Sequence, residues 1–449
     1  VNFGAGHTNG QLYYKLATEG RKLTVPGGTV NGVGLAGLAL GCGRGALTYL
    51  YGLACDSILG LKYVDHEGQV QEADAEKNED MYWMARGGGG EFPGIVTQFK
   101  MQAYPHPEKL HELTCIIGGM TQPEQVEKAK KLWSAWWPMV EEFVKPERKI
   151  YSHCYVWNHG EFHFINMCLD CDDAELAWYK EKVEGIAKAG DTKCEEKTLS
   201  FQEYVLYESG VHQGMIDDDF KAISDRTQGW GALKKRDGSP APHLNQRNGA
   251  NMLNTWEFSE ELMDAIFDWS IQKSKEMIRP AMQPYDLQVL MYPMGGPQVT
   301  RVGPKDTAYK HRDSKYVIAS KHQTDDPEMD TSIHEHHSGM MKAIQDLTSC
   351  AGYYNYMDKD NGPCANQSPE SWLDYYFSDP ERVKTIKEEH DPSGVFRSRI
   401  PLPNKGTKKE GSKGGSGEDK KEDKNKDEKE DEKEDEKEDE KEDEKEDEK

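Results

Sequence analysis

The sequence predicts an α+β fold, on three observations. Strands come in alternating pairs about tight turns. Helices are grouped beside them rather than strictly interleaved. One stretch near the start is dense in glycine. A chain of 449 residues has room for two or three such units.

The elements follow in order. Val1 to Ala5 reads as a strand, and Gln11 to Glu19 as a helix ended by Gly20. Leu61 to Asp65 and Gln69 to Ala73 alternate about His66-Glu67-Gly68, as hairpin strands do. Asp80 to Arg86 is a short helix, and Ile95 to Ala103 a strand closed by Pro105. Glu124 to Trp137 is amphipathic, with Trp133, Trp136 and Trp137 expected in the core. Ile150 to Asn158 and Glu161 to Leu169 form a second hairpin pattern. Asp173 to Ala189 and Glu257 to Glu276 read as helices, Leu287 to Tyr292 and Tyr316 to Lys321 as strands. Tyr353 to Met357 looks strand-like, and Pro380 to Glu389 helical. After Pro403 the chain is a Gly/Ser/Lys segment and then a Lys-Glu-Asp-Glu repeat. With no apolar side chains to offset ordering entropy, it is expected to be disordered, an isolated Glu/Lys helix being the alternative.

The net charge is −24, roughly −8 of it after residue 404 and roughly −16 before. A nucleic-acid or anionic-membrane partner is not expected, because both are bound by displacing counterions with Lys and Arg. No apolar run is long enough to span a bilayer. The nine cysteines are irregularly spaced, so no disulfide framework is legible. Cys168 and Cys171 form a CxxC with no second pair at zinc-ribbon spacing, which favours a hairpin end over a metal or redox site. His334-Glu335-His336-His337 lacks HExxH spacing and reads as a solvated helix face; no metal site is expected. No leader pattern is visible at Val1.

Pro26 to Gly45 carries Gly27, Gly28, Gly32, Gly34, Gly37, Gly41, Gly43 and Gly45. Ordering that many glycines is costly. A fold tolerates it where the backbone turns sharply, or where bare N–H groups must approach a ligand such as a phosphate or flavin. Gly4, Gly6 and Gly10 imitate a dinucleotide fingerprint, but the spacing is GxGxxxG and no acidic strand end follows, so a Rossmann fold is disfavoured.

Five segments resemble, in order, the berberine-bridge-enzyme-like flavoproteins of the vanillyl-alcohol-oxidase superfamily. They are GAGHTNGQLYY from Gly4, and the stretch Pro26 to Leu59 ending in Tyr-Gly-Leu-Ala-Cys-Asp at Tyr51 to Asp56. WMARGGGGEFPGIVTQF follows from Trp83, then Gly295-Gly296 with Thr307 to Arg312. Last comes Tyr354-Asn355-Tyr356-Met357-Asp358 with Tyr375-Tyr376, Arg382 and Asp391 to Phe396. The resemblance implies a PCMH-type FAD-binding domain, incomplete at its N-terminus, and an antiparallel-sheet substrate domain backed by helices. Residues 1–107 would be the first FAD-binding segment and 108–349 the substrate-binding domain. Residues 350–402 would be a C-terminal module returning to the FAD domain, and 403–449 the charged tail.

By the same resemblance, the cofactor would be lined by Gly28, Thr29, Val30, Gly34, Gly37, Gly41, Gly43, Gly45, Gly52, Asp56, Ile58, Gly94, Ile95, Val96 and Asn355. Many relatives hold FAD through a histidine and a cysteine. Val30 stands where that cysteine would be, Leu38 where a histidine is common, and the N-terminal Gly-Gly-His loop is not in this sequence. Non-covalent FAD is therefore expected, with a reduced enclosing wall. Many relatives are secreted; the residues themselves leave the compartment open.

The implied activity is an FAD-dependent oxidase or dehydrogenase. It would take a hydride from an alcohol, sugar or secondary metabolite, with oxygen or another electron acceptor as partner. Tyr356 is the first candidate base and Tyr354 the second, placed on one face if their segment is a strand. Relatives often carry Glu or Gln on the strand Tyr316 to Lys321; Ala319 and Ser320 hold that place here. The alternative is a non-catalytic remnant of the fold that acts in binding.

Overall fold

The computed structural model describes residues 1–18, 22–145, 147–208, 245–277, 285–324, 327–358, 362–364 and 368–398. The described residues all belong to one compact unit. The expected disorder of the charged tail lies outside the described residues.

The strands are β1 (Asn2–Gly4), β2 (Leu23–Thr24), β3 (Ile58–Val64), β4 (Val70–Asp74), β5 (Ile95–Met101), β6 (Tyr104–Pro105) and β7 (Leu110–Ile117). They continue with β8 (Ile150–Trp157), β9 (Glu161–Leu169), β10 (Cys194–Leu199), β11 (Asn245–Leu253), β12 (Tyr285–Pro293), β13 (Tyr316–Thr324) and β14 (Ser349–Gly352). A four-stranded sheet runs β1-β5-β3-β4, and β2 pairs with β6. A larger sheet of eight strands runs β10-β7-β9-β8-β12-β13-β11-β14, every pair antiparallel.

Strand alternation gives the large sheet two different faces. Cys154, Val156, Phe162, Phe164, Val289, Met291, Tyr316 and Ile318 point to one face and form a core with the helices behind it. The helix Pro123–Phe143 opens on Pro123, where the missing N–H costs nothing. It presents Trp133, Trp136 and Val140 at helical spacing, all with no exposed surface, whereas Trp137, also expected in the core, is only partly buried. The Trp136 indole N–H donates to Ser152 Oγ at 2.7 Å, and that hydroxyl donates to Asn166 Oδ1 at 2.6 Å. The helix Asp173–Ala189, capped by the Asp172 carboxylate on the Glu175 N–H, covers the same face.

The other face of the sheet turns Tyr151, His153 and Tyr155 on β8 towards residues of the first hundred positions. Tyr151, Ile165 and Met167 share a core with Tyr13, Ala46 and Leu47. A third core joins Phe3, Val25, Leu53, Trp83 and Phe99 to Tyr353, Trp372, Tyr376, Phe377 and Val383. The end of the described chain thus completes the interior begun by its start.

Four expectations need correction. The stretch expected as one helix from Glu257 is Glu260–Phe267, a π turn Asp268–Lys273, then Ser274–Met277. The segment Tyr353 to Met357 is not a strand: the strand ends at Gly352, and Tyr354–Tyr356 form a 3-10 turn. Cysteines pair as Cys42–Cys55, Cys115–Cys194, Cys168–Cys171 and Cys350–Cys364, with Cys154 buried and free. Finally, His336 and His337 are buried rather than solvated.

Candidate functional site

The site grows from the glycine stretch. The helix Asn9–Thr18 anchors it: the Tyr13 hydroxyl donates to Gly28 O at 2.8 Å, and Asn9 Nδ2 to Val30 O at 3.1 Å. A short helix, Leu35–Leu40, follows.

The glycines then divide into two sets. A side chain at Gly41 would collide with the Asn355 carboxamide, one at Gly43 with Leu38, one at Gly45 with Gly27 O, and one at Gly28 with Asn9 and Leu38. Their bareness lets the loop close on the protein itself. The N–H groups of Gly41, Gly43 and Gly45 are also used internally, by Gly37 O, Leu38 O and Thr48 Oγ. These three glycines shape the loop and are not its free donors.

Gly34 and Gly37 are the opposite case. Both are exposed, and a side chain on either would meet nothing within 4 Å. Among the described residues, the N–H groups of Thr29, Val30, Gly34 and Gly37 find no acceptor. Unpaired N–H groups beside open, side-chain-free backbone are what an oxygen-rich cofactor such as FAD requires. The residues present fit that group on the Thr29–Gly37 side. On the other side, against Phe201, Tyr204 and Val205, the space is only about 10 Å³, the room of one water.

The remaining expected lining residues have fixed partners. Gly52 ends a helical turn at φ +90, a conformation that favours glycine. The Asp56 carboxylate is buried and holds the Leu53 N–H at 3.0 Å and the Arg312 guanidinium at 2.7 Å, tying the loop to the Thr307–Arg312 segment. Ile58 is buried at the start of β3, opposite Met101. Gly94, Ile95 and Val96 lie at the other end of the same ladder, where Ile95 pairs with Val64. The two groups are separated by about 20 Å of strand, so only an extended ligand reaches both.

The Tyr354–Tyr356 turn latches onto this loop. Asn355 Nδ2 donates to Leu38 O at 3.2 Å, and the Tyr353 hydroxyl donates to Cys42 O at 3.1 Å. The shared-face argument for Tyr354 and Tyr356 fails with the strand. The Tyr354 hydroxyl is held by the Gly90 N–H at 2.9 Å, with its ring over Gly89. The Tyr356 hydroxyl makes no hydrogen bond to a described residue, and its ring lies 5.5 Å from that of Tyr353.

Three features are absent from the sequence reading. The guanidinium of Arg44, between Gly43 and Gly45, stacks 3.2 Å from the centre of the Tyr292 ring on the large sheet. His153, on the neighbouring strand, packs against Tyr151, Tyr155 and Tyr292. Burial, helped by the Arg44 charge, lowers its pKa to about 3, so it is neutral at pH 7. On the opposite face, His337 Nε2 meets Asp358 Oδ2 at 2.7 Å, and His322 Nε2 meets His336 Nδ1 at 2.9 Å. Ser320 Oγ is 3.0 Å from His322 Nδ1. This buried chain fastens Asp358, two residues beyond Tyr356, to the sheet. Among the described residues, no group of side chains is arranged to hold a metal ion.

Comparison with known proteins agrees with this geometry. Residues 1–74 match the family model for an FAD binding domain. Berberine bridge enzyme-like 23 of Arabidopsis thaliana is 35% identical over 130 residues, covering 29% of this chain and only 24% of that protein. Berberine bridge enzyme-like 28 of the same plant is 24% identical over 428 residues, covering 90% of this chain and 72% of that protein. The uncharacterized FAD-linked oxidoreductase YgaK of Bacillus subtilis is 26% identical, covering 89% and 76%. Among solved structures, Physcomitrella patens BBE-like 1 superposes with a TM-score of 0.70 at 22% identity, over 90% of this chain and 77% of that one. A carbohydrate oxidase from Microdochium nivale superposes with a TM-score of 0.68 at 20% identity, over 89% and 77%. The chain is similar, over most of its length, to berberine bridge enzyme-like proteins and FAD-linked oxidoreductases.

Proposed function

We propose that this chain is an FAD-dependent oxidoreductase, an oxidase or dehydrogenase, acting on an alcohol, a sugar or a secondary metabolite. The observation that carries the reading is the set of unpaired N–H groups of Thr29, Val30, Gly34 and Gly37, on a loop latched through Asn355 to the turn that bears Tyr356. When bound, FAD supplies the hydride acceptor, flavin N5, and passes the electrons to oxygen or another acceptor. The chain supplies the rest. Thr29, Val30, Gly34 and Gly37 offer donors to the cofactor's oxygens, and Val30 offers no thiol for a cysteinyl link. The Tyr356 hydroxyl, unlike that of Tyr354, is available to take the substrate O–H proton. The large sheet covers the reacting centre and excludes water.

A second reading, a binding protein on the same fold, draws on one observation. On β13, Ala319 occupies the face towards the loop, and Ser320 turns away to His322. Neither of these two side chains is a base.

The test is anaerobic mixing of the FAD-loaded chain with a panel of alcohols and sugars. Bleaching of the flavin by at least one compound, slowed about a hundredfold or more in Tyr356→Phe, is expected. Bleaching at an unchanged rate in that variant removes Tyr356 from the chemistry. No bleaching by any compound favours the binding protein.

A further inference from the structure

We infer that Arg44 and His153 form an anion-recognition site between the glycine loop and the large sheet, and that the substrate carries a carboxylate. The inference rests on the oxidoreductase reading and names its substrate class.

Among the described residues, Arg44 is a cation with no carboxylate partner. Its guanidinium rests on the face of Tyr292, with Tyr151, Tyr353 and Tyr356 close enough to act on its charge, and its Nε is buried with no hydrogen-bond partner among the described residues. A guanidinium has five N–H donors, and structural arginines in interiors are normally paired. Arg312 in this same chain shows the paired case: it meets Asp56, Thr307 and Val299 O. Arg44 meets no carboxylate among the described residues. The rings around it cannot neutralise it, since a cation–π contact offers only a fraction of an ion pair.

A second, independent group points to the same place. His153 is 4% exposed, and its Nδ1 is buried with no partner. Its ring centre lies 5.2 Å from that of Tyr292, the ring on which Arg44 rests. The two belong to different parts of the chain, one in the loop and one on β8, and they converge on one side chain. A neutral imidazole can donate one hydrogen bond to a carboxylate, while a guanidinium can donate two in parallel.

Position separates substrate from cofactor as the source of the anion. The N–H groups without an acceptor among the described residues are those of Thr29, Val30, Gly34 and Gly37. Arg44 instead reaches away from the loop onto the sheet, into the layer that covers the cofactor. The acidic surface opposes an incoming anion at long range, but that field is screened within about 8 Å at physiological salt. Inside the site the Arg44 charge is the nearest one.

The test is calorimetric titration of the purified full-length chain with benzoate and with its neutral isostere benzamide, in wild type, Arg44→Gln and Arg44→Lys. Wild type is expected to bind benzoate at least about tenfold more tightly than benzamide, the contribution of a charge-assisted hydrogen bond. Arg44→Gln should abolish the preference and leave benzamide binding unchanged. Arg44→Lys should retain most of it, which separates charge from folding. Equal binding of the two probes by wild type, no binding of benzoate, or an undiminished preference in Arg44→Gln overturns the inference. Flavin absorbance is read on the same samples. Bound FAD without a benzoate preference defeats this site alone; a benzoate preference without FAD defeats the oxidoreductase reading and leaves the anion site standing.

Discussion

The two faces of the eight-stranded sheet are built from alternate residues of the same strands, yet they are finished differently. Behind the sheet, tryptophans, phenylalanines and aliphatic side chains interlock, and the polar groups close on one another. Trp136, Ser152 and Asn166 form one chain, and His322, His336, His337 and Asp358 another. Trp133 Nε1, Ser270 Oγ and Ser338 Oγ are exceptions on that side. Towards the glycine loop, the lining is tyrosine, histidine and arginine, and Arg44 Nε and His153 Nδ1 are buried without partners. Buried polar groups that the protein does not satisfy lower stability, so they persist where a ligand completes them.

Substitutions should separate the faces. Trp136→Ala on the helix-covered face should cost about 3–5 kcal/mol, from the cavity and the lost bond to Ser152, read by chemical denaturation. His337→Ala should cost about 1–3 kcal/mol by removing the buried bond to Asp358. A loss below about half a kcal/mol for either would mean that the helix-covered face is looser than described.

Acid should act on both faces through histidine. Burial lowers the pKa of His153 and His311 to about 3 and of His336 to about 4, against 6.5 in the unfolded chain. Above pH 6.5 all are neutral in both states. As pH falls from 6.5 towards those values, the unfolded chain takes up protons that the folded chain refuses, so stability falls. The slope is up to about 1.4 kcal/mol per pH unit for each histidine. His336→Gln should flatten the profile by one proton; an unchanged profile would mean that this histidine is not held neutral. Smallest of all, Tyr356→Phe should change stability by less than about 0.5 kcal/mol, because its hydroxyl has no partner to lose.

Local pattern made much of the fold legible. Both hairpins, the long helix and its buried tryptophans follow from period and turn residues, and the ordered motifs pointed to the family. What failed depended on distance. The aromatic run at Tyr353 to Met357 has strand propensity, but Asn355 must reach the bare surface of Gly41, and the chain turns to bring it there. His334 to His337 looks like polar helix surface because His322 and Asp358, which bury it, come from a strand and a turn elsewhere in the sequence. Disulfide pairing was equally invisible: Cys115 meets Cys194 because β7 and β10 are neighbours. Arg44 gave no signal, since an arginine among glycines reads as solvent-exposed until the sheet is placed over it.

The central claim is that the Thr29–Gly37 backbone holds a cofactor. The measurement that tests it most directly is an equilibrium titration of the purified chain with FAD, followed by visible absorbance and flavin fluorescence, and then acid precipitation. Saturable binding that shifts the flavin bands, weakens at least about tenfold in Gly34→Val, and releases all flavin on precipitation is the expected result. A chain that stays colourless in excess FAD, or that binds equally well with Gly34→Val, would contradict the account.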